Sequence, residues 1–506
     1  MKKSFQYILL SLALLTVVAC DKGFDDLNIN QTAATSINPV FSLNNSVIAA
    51  SFVSGTVQNE IGIVQQMVSP NSGVLTGANF NQDNRDGTQQ NWQRYYRNVI
   101  RFTADVINAT KDQPTRSNLY NMARIWQANA FIVVSDSYGD VPYTEAGKGY
   151  IAQVLLPKYD AQQAIYAAII KELTEATAAL DAAKTVESAD VLYGGNITQW
   201  KKLGNSLLLR AGMRLTKVDP ALAQATVQKA VQGPLMDANT DNCVIRHDAN
   251  YVNGIGQMLN STEANNFYLA APFVNQLKST ADPRLSAIAV RYVGAKSGPE
   301  QTAAKAKTDA ASQIGMPFGF DNSTITVQAA KDGLASFYDY TQADRTRVVK
   351  NTAPMFLVTA AQTQLLLAEA IQRGWATGTI ATVFQKGIRL HMEQMALYDA
   401  KSAIAAADID TYLAATAFDP GKALEQINTQ YWIASFLNGP EAFANFRRSG
   451  FPKLSPNPFP GKAIKGNFIN RLTYPNSEIS VNKTNVDQAI ARQGADDLDT
   501  KVWWDK

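Results

Sequence analysis

Apolar and aromatic positions recur along this chain with the period of an α-helix. The first clear stripe comprises Trp92, Tyr95, Tyr96, Val99, Phe102 and Val106. The second comprises Leu119, Met122, Ala123, Trp126 and Ala130. Pro114 separates the two stripes, and Gly139 and Pro142 end the second one. The spacing therefore predicts two helices joined by a short turn.

The same layout of two helices and a turn recurs further along the chain. The pairs are predicted at 165–180 with 200–215, at 354–374 with 377–397, and at 421–438 with 441–448. Small alanines at the contacts, with bulky residues between them, are typical of tetratricopeptide-like repeats. The units are not contiguous, and any α-rich protein contains helix pairs, so periodicity alone leaves repeats and a plain helical fold both open. Either alternative predicts a mainly α fold.

Four long segments between these helices lack a helical pattern. They are 69–91, 237–268, 291–340 and 451–483. All are rich in glycine, asparagine, aspartate and aromatic residues. Long irregular segments inside a compact domain are usually functional or disordered. The many aromatic residues favour ordered, functional loops.

The N-terminus has the layout of a secretory signal. Two lysines open the chain, an apolar run covers residues 8–18, and a small residue precedes Cys20. A cysteine at the cleavage point indicates a bacterial lipoprotein, so we expect residues 1–19 to be a signal peptide and Cys20 to be acylated. Residues 20–37 would then tether a domain at 38–506. The alternatives are an ordinary secretory signal or an uncleaved anchor, although the apolar run is shorter than the about 20 residues that span a bilayer.

Composition is typical of a folded domain rather than of a disordered or nucleic-acid-binding chain. The 506 residues are 46% hydrophobic and 18% charged, which allows a large core. The formal net charge of +3 falls to +1 without the two lysines of the signal, so we expect no nucleic-acid partner. Cys20 and Cys243 are the only cysteines. Acylation of Cys20 would leave Cys243 without a disulfide partner.

The sequence offers little to an enzyme or a metal site. The two histidines, His247 and His391, lie outside any HExxH pattern, and Cys243 with His247 is too few ligands for zinc. GxSxG, Walker A and GxGxxG patterns are absent. Residues 82–87, QDNRDG, resemble an EF-hand loop without its first aspartate and its last glutamate, so a turn is the better interpretation. We expect no catalytic residue, no metal and no cofactor.

Short motifs follow one another in a fixed order from Cys20 to the C-terminus. They are FDDLNINQTAAT after Cys20, YGDVPYTEA at 138–146, DPRL at 282–285, AEAIQRGW at 368–375, FRRSGFPKL at 446–454, RLTYPNSEISVN at 471–482 and KVWWD at 501–505. In this order they resemble the SusD/RagB family of nutrient-binding outer-membrane lipoproteins of Bacteroidota, most closely its second, SusD-like branch. Gln31 and Gln362 depart from the pattern, and Gln362 stands where a glutamate is common.

Several of these motifs also have a purely structural interpretation. Arg447 and Arg448 would pair with carboxylates or carbonyls. Trp503 and Trp504 would attach the C-terminus to the core rather than bind ligand.

The resemblance implies both a fold and a function. The fold is a single α-rich globular domain built on four tetratricopeptide-like helix pairs, with long ligand-bearing loops on one face. Members of the family are anchored by lipid to the outer membrane and exposed at the cell surface. They bind a nutrient, usually an oligosaccharide and sometimes a peptide, and act as the lid of a SusC-type TonB-dependent barrel.

Ligand residues are expected in two loops, because well-known members use the loop before the first long helix and loops after the DPR turn. The candidates are Asn79, Phe80, Asn84, Arg85 and Trp92 in the first loop, and Phe318, Phe320, Asp321 and Tyr338 in the second. Aromatic rings stack on the apolar faces of sugars, while amide, carboxylate and guanidinium groups bond to their hydroxyls. The alternative for each aromatic residue is that it only packs its loop against the core.

Three other functions remain open from the sequence. The chain could be a peptide-binding member of the same transport system. It could be a lipid-anchored glycoside hydrolase, for which Asp248 and Asp282 would be the imagined carboxylate pair. It could also be a scaffold whose helix pairs bind only proteins.

Overall fold

Helices make up most of the structure, a computed structural model that describes residues 37–506. In chain order the α-helices are α1 (Pro39–Ala49), α2 (Gly55–Gln58), α3 (Glu60–Ile63), α4 (Arg85–Arg94), α5 (Arg101–Thr110), α6 (Ser117–Tyr138), α7 (Gly149–Ala152), α8 (Gln162–Ala179), α9 (Ile197–Arg214), α10 (Pro220–Ala230), α11 (Gly254–Leu259), α12 (Ala271–Ser279), α13 (Arg284–Ile288), α14 (Asn322–Lys331), α15 (Ala360–Gln372), α16 (Ile380–Tyr398), α17 (Ala406–Ala415), α18 (Ala423–Ala434), α19 (Gly439–Ser449), α20 (Asn476–Val481) and α21 (Lys483–Gln493). A π-helical segment, Tyr95–Ile100, joins α4 to α5. The predicted signal peptide, Cys20 and nearly all of the tether lie outside the described residues.

Short antiparallel strands connect distant parts of the chain. They are β1 (Met67–Val68), β2 (Val141–Pro142), β3 (Tyr159–Asp160), β4 (Cys243–Ile245), β5 (Tyr268–Leu269), β6 (Ala289–Tyr292), β7 (Ala306–Lys307), β8 (Gln342–Ala343) and β9 (Met355–Val358). β1 pairs with β5, β2 with β3, and β4 with β9, while β7, β6 and β8 form a three-stranded sheet in that order.

The four predicted helix pairs are present, which confirms the mainly α fold. α5 packs on α6, α8 on α9, α15 on α16, and α18 on α19. One predicted boundary was wrong, because Met355–Val358 is strand β9 rather than the start of a helix. This strand pairs with β4, with Ile245 opposite Met355. α15 begins only after Thr359, whose side chain accepts a hydrogen bond from the backbone N–H of Gln362 at 3.1 Å.

The segment 69–91, predicted to be a loop, contains the start of helix α4. Asn84 caps this helix, since its side-chain oxygen accepts a hydrogen bond from the backbone N–H of Gly87 at 3.1 Å. The turn predicted at 82–87 is therefore the entry to a helix. The polar sequence of α4 hides its period, because beyond Gly87 and Thr88 only Asn91 and Trp92 are buried.

Residues Pro39–Lys506 form one compact unit around a continuous hydrophobic core. Some of its helices approach each other closely through glycine. A Cβ atom on Gly204 of α9 would lie 2.0 Å from the Oγ1 atom of Thr177 on α8, so only glycine permits this contact. No helix within residues 37–506 has the length and apolar character that crossing a bilayer requires.

A buried charge cluster joins the C-terminal ends of α6 and α9 to the N-terminal end of α19. Asp136 on α6 accepts a hydrogen bond from the Nε atom of Arg214 on α9 at 3.0 Å. Arg214 also bonds to Glu441 on α19 at 2.8 Å. Burial raises the pKa of Asp136 despite the nearby Arg214. Burial would also raise the pKa of Glu441, but the guanidinium groups of Arg210 and Arg214 outweigh it and hold that pKa below its usual value.

The same cluster holds the C-terminus. The indole N–H of Trp504 donates to Asp136 Oδ1 at 2.9 Å, and the hydroxyl of Tyr166 donates to the same oxygen. Trp504 is fully buried, which confirms that it attaches the C-terminus to the core. Arg447 donates to the backbone oxygen of Asp136 at 2.7 Å, as predicted for this arginine.

A second buried ion pair joins α15 to α19. Arg448 bonds to both carboxylate oxygens of Glu369, each at 2.7 Å. Burial alone would raise the pKa of Glu369, but Arg448 and Arg373 lower it to about 2. The predicted pairing of Arg448 with a carboxylate is therefore confirmed. Gln362, the departure from the family pattern, accepts a hydrogen bond from Arg210 at 2.9 Å.

The buried carboxyl group of Glu60 has no ion-pair partner among the described residues. Glu60 on α3 is 1% exposed, and its only hydrogen bond to another side chain comes from the Nδ2 atom of Asn91 at 3.3 Å. Burial raises the pKa of Glu60 to about 7, and the opposing effects of Asn91 and Arg447 are smaller. α3 leads directly into β1 and the loop after it.

We expect Asp136→Asn to destabilise the fold by about 3–5 kcal/mol, because it removes the charge that partners a buried arginine. Denaturant unfolding of the full chain would measure the loss. Asp410→Asn, which removes the exposed partner of Arg389, is the matched control and should change the free energy of unfolding by less than about 0.5 kcal/mol. Equal losses in the two variants would contradict a central role for the cluster.

We expect Glu60→Gln to stabilise the fold at alkaline but not at acidic pH. A folded pKa above the unfolded value means that stability is fully present below pH 4.5 and is lost as the pH rises to about 7. At about pH 8 the variant should therefore gain about 2–3 kcal/mol over the original chain. Unfolding curves at both pH values would measure this gain, with the exposed Glu393→Gln as control. A gain independent of pH would refute the assignment.

Candidate functional site

Two of the loops that the sequence predicts, 69–91 and 291–340, both contact part of a third one, segment 455–463. The Nδ2 atom of Asn457 donates to the backbone oxygens of Ala78 at 3.2 Å and Asn79 at 2.7 Å. The backbone N–H of Ala463 donates to the backbone oxygen of Asn81 at 2.9 Å. Segment 455–463 is therefore held against segment 69–84.

The same segment, 455–463, also contacts the loop after the DPR turn. Gly319 has a φ of +87° and lies against Pro458; a Cβ atom here would be 2.4 Å from the ring of that proline. Neighbouring Phe318 packs in a small cluster with Val68 of β1 and Tyr268 of β5. The first loop follows β1 directly, and Phe318 of the second loop packs against β1 and β5. This strand pair therefore supports both loops.

Aromatic rings reach the surface where the three segments meet. Phe459 stacks on Phe80, with 4.4 Å between ring centroids and 28° between ring planes. Phe459 and Phe320 are partly exposed, whereas Phe80 is 3% exposed. Gln82 lies beside Phe459 and donates to the backbone oxygen of Gly461 at 2.8 Å. We call the surface formed by Gln82, Phe320, Asp321 and Phe459 the loop face.

The polar residues predicted in the first loop hold that loop together. Asn79 is buried, and its Nδ2 atom donates to the backbone oxygens of Ser69 and Asn71, both at 2.9 Å. Asn84 caps α4 and donates to the oxygen of Thr76 at 2.6 Å. Arg85 bonds to Asp496 at 2.6 Å. In this structure the three side chains act as supports, and a ligand contact for any of them stays a prediction.

Trp92 is not brought together with the loop face. It is 3% exposed and packs in an aromatic cluster with Tyr96, Tyr138, Tyr159 and Tyr474. The indole therefore has no open face on which a ligand could stack. Its role as a ligand platform stays a prediction that this packing does not support.

Of the residues predicted in the second loop, Asp321 belongs to the loop face and Tyr338 does not. Asp321 caps α14 and accepts hydrogen bonds from the backbone N–H groups of Thr324 and Ser323, at 2.9 and 3.1 Å. Bonds from the backbone and hydroxyl of Thr324 and from Ser323 lower the pKa of Asp321 to about 2. Tyr338 stacks on Phe337 and packs beside β6 rather than beside Phe320.

Phe459 is the candidate residue that sequence reasoning missed. It lies in segment 451–483, which the sequence predicts to be a loop without a candidate ligand residue. The local sequence is Asn457-Pro458-Phe459-Pro460-Gly461. A phenylalanine between two prolines in a turn cannot lie in a regular helix or inner strand, so it was a usable signal for an exposed ring.

The side chains that the sequence offered for catalysis, Asp282 and His391 among them, are held in contacts with Arg284. Asp282 is fully buried against Arg284, with 2.5 Å between carboxylate and guanidinium. His391 accepts from Arg284 at 3.0 Å if its Nδ1 atom is unprotonated, and its pKa is well below the usual value because of burial and Arg284. Among residues 37–506 no group of three or more histidine, cysteine, aspartate or glutamate side chains could hold a metal ion.

Solved structures with the same architecture include carbohydrate-binding proteins. A chitin-binding protein is 29% identical, with a TM-score of 0.80 over 93% of this chain and 100% of its own. A SusD-like protein of Bacteroidetes AC2a is 25% identical, with a TM-score of 0.79 over 93% and 100%. A chitin-binding SusD homologue from Flavobacterium johnsoniae is 22% identical, with a TM-score of 0.75 over 92% and 98%, and it supports the fold alone. No curated protein sequence matches the chain.

A family model gives the assignment directly. The SusD-like model described as "Starch-binding associating with outer membrane" matches residues 30–475. This range includes the four helix pairs and the whole of the loop face. The chain therefore belongs to the SusD-like family of outer-membrane-associated proteins.

Proposed function

We propose that this chain is a cell-surface lipoprotein that binds an oligosaccharide on its loop face and passes it to a SusC-type TonB-dependent barrel. The observation that carries the proposal is the meeting of three loops around Phe320 and Phe459. These loops are fixed to the helical core, so the exposed rings have defined positions before any ligand arrives. Preformed sites avoid much of the ordering cost of binding.

The chemistry of the loop face fits a sugar. Phe320 and Phe459 present apolar ring surface, and Gln82 and Asp321 place an amide and a carboxylate beside it. Sugars have apolar C–H faces and many hydroxyls, and they need this combination. Neighbouring structures described as chitin-binding and the starch-binding description of the family make these two polysaccharides the first probes. A peptide ligand is the alternative outcome.

Binding rather than hydrolysis is the activity that the site supports. Asp282, one of the carboxylates considered for a hydrolase, is buried against Arg284. Asp248 is exposed but accepts the backbone N–H groups of Asn250 and Tyr251, both at 2.8 Å, in a local turn. Neither carboxylate belongs to the loop face.

The N-terminal lipid would place this domain beside its barrel. Acylation at Cys20 would leave about 17 residues before the described domain, a tether that reaches at most about 60 Å. Two or three acyl chains anchor a protein firmly. The match to a family that associates with the outer membrane supports this location.

We expect Phe459→Ala and Phe320→Ala each to weaken the binding of chitin or starch oligosaccharides. Loss of one ring contact of about 0.5–1.5 kcal/mol corresponds to about a two- to tenfold rise in Kd. Calorimetric titration of the full chain would measure it. Phe41→Ala, which removes a 50% exposed ring on α1, is the matched control. Unchanged affinity in both variants would refute the loop face, and release of shorter sugars would favour the hydrolase.

We expect a chain tagged at its C-terminus to co-purify with a TonB-dependent barrel from gently solubilised outer membrane. Mass spectrometry would identify the barrel. Cys20→Ser should move the chain from the membrane fraction to the soluble fraction and remove the barrel from the purified material. Recovery of the acylated chain alone would contradict the transport role.

A further inference from the structure

A second concave site lies between helices α5, α6 and α8 and the segment after β2. It has a volume of about 340 Å³, at the lower end of the range for ligand pockets. None of its lining residues belongs to the loop face. Part of its wall is the end of the YGDVPYTEA motif, of which Tyr143, Thr144 and Ala146 line the site. We call this site the helix cleft.

The floor of the helix cleft is apolar and aromatic. Phe131 on α6 packs against Tyr143, with 4.5 Å between ring centroids and 58° between ring planes. The aliphatic lining residues are Ala104, Ile107, Ala146 and Ile151. Tyr120 adds a third ring, held by the guanidinium of Arg124 at 5.3 Å from its centroid. A flat apolar ligand surface could therefore be covered on more than one side.

Around this floor lie polar groups that the protein itself does not use. None of these groups has a hydrogen-bond partner within residues 37–506. They are the hydroxyls of Tyr120 and Tyr143, the side-chain amide of Asn108, and the ammonium groups of Lys111 and Lys148. By contrast, Arg124 is fixed by Glu172 at 2.6 Å and by Glu175 at 2.9 Å. A ligand with several hydroxyls would find donors and acceptors at separate points of the wall.

The charges at the helix cleft balance. The positive groups are Lys111, Arg124 and Lys148, and the negative groups lining or bonded to the wall are Asp160, Glu172 and Glu175. Arg124 is neutralised by its two glutamates, and Asp160 accepts the backbone N–H of Thr144 at 2.9 Å. The sum of these six charges is zero, and the two free ammonium groups remain available as hydrogen-bond donors to ligand oxygens. The balance favours a neutral ligand.

An exposed tyrosine follows one of the lining residues along the chain. Tyr150 is 91% exposed, and its chain neighbours Lys148 and Ile151 line the helix cleft, which places its backbone beside the rim. It is on the short helix α7, which follows Gly147, a residue with a φ of +71°. An exposed tyrosine beside an apolar cleft is a suitable platform for a sugar ring at the entrance.

We propose that the helix cleft is a second ligand site of this protein, which binds a short neutral saccharide between Tyr120, Tyr143 and the rim residue Tyr150. The proposal does not rest on the function of the loop face, since the two sites share no residue. Two sites on one lipoprotein would raise its apparent affinity for a long chain that reaches both.

Lysine side chains allow the two sites to be observed separately in the full chain. Lys111 and Lys148 line the helix cleft, and Lys462 is an exposed residue of segment 455–463, three residues after Phe459 of the loop face. After reductive methylation with ¹³C, each lysine gives its own NMR signal, which Lys→Arg variants assign. The probes are maltose, cellobiose and N,N′-diacetylchitobiose.

We expect at least one of these disaccharides to shift the signals of Lys111 and Lys148 in a saturable way. The double variant Asn108→Ala/Tyr120→Ala should weaken this response by about tenfold or more while leaving any response of Lys462 unchanged. Lys184→Ala, an exposed change elsewhere, is the control and should leave both responses intact. Circular dichroism of the double variant would establish that it is folded.

The outcomes separate the two proposals. Shifts at Lys462 alone would support the loop face and overturn the helix cleft. Shifts at Lys111 and Lys148 alone would support the helix cleft and count against the loop face. If none of the three disaccharides moves Lys111 or Lys148, or if the double variant responds like the original chain, the helix cleft is not a saccharide site.

Discussion

The fold depends on one buried set of charges in which Arg214 lies between Asp136 and Glu441. These residues come from α6, α9 and α19, which belong to three of the four helix pairs. Removing any one of these charges would leave the remaining buried charges unbalanced, and that costs more than the intact pairs contribute. The cluster therefore fixes which surfaces of the helix pairs may face each other. The C-terminus joins it through the indole of Trp504, so the last residues of the chain are part of the frame.

The loops of the candidate site are held in place by hydrogen bonds from asparagine side chains rather than by buried charges. Asparagine side chains bond to backbone carbonyls of neighbouring loops, as Asn79 and Asn457 do. An amide that donates to two backbone carbonyls fixes the loop backbone, and it leaves the exposed positions free for aromatic side chains. The rings of Phe320 and Phe459 can therefore differ between related proteins while the loop backbone stays in place. Such a division would let specificity reside in a few exposed side chains of a common fold.

Helices could be predicted from the sequence wherever one face is apolar, as in the stripe that contains Trp126. The strand at Met355–Val358 could not, because its pairing with β4 is a contact between residues more than a hundred positions apart. α4 was hidden by its polar composition. For the loops of the candidate site, the sequence indicated segments that the structure brings together but not which of their rings are exposed. Trp92 and Phe80 are buried, while Phe320 and Phe459 are partly exposed, and the neighbours that decide this come from other loops.

The two proposed sites differ in what supports them, and this difference has a consequence for binding. The loop face is built from three loops that meet through backbone contacts, whereas most of the helix cleft is lined by the packed helices α5, α6 and α8, and the segment after β2 completes it. Helix walls change little on binding, so the helix cleft would accept a small ligand of defined shape. A loop face can vary more among relatives without loss of the core. A protein that uses both could hold a long polysaccharide by an adaptable surface and a short segment of it by a rigid one.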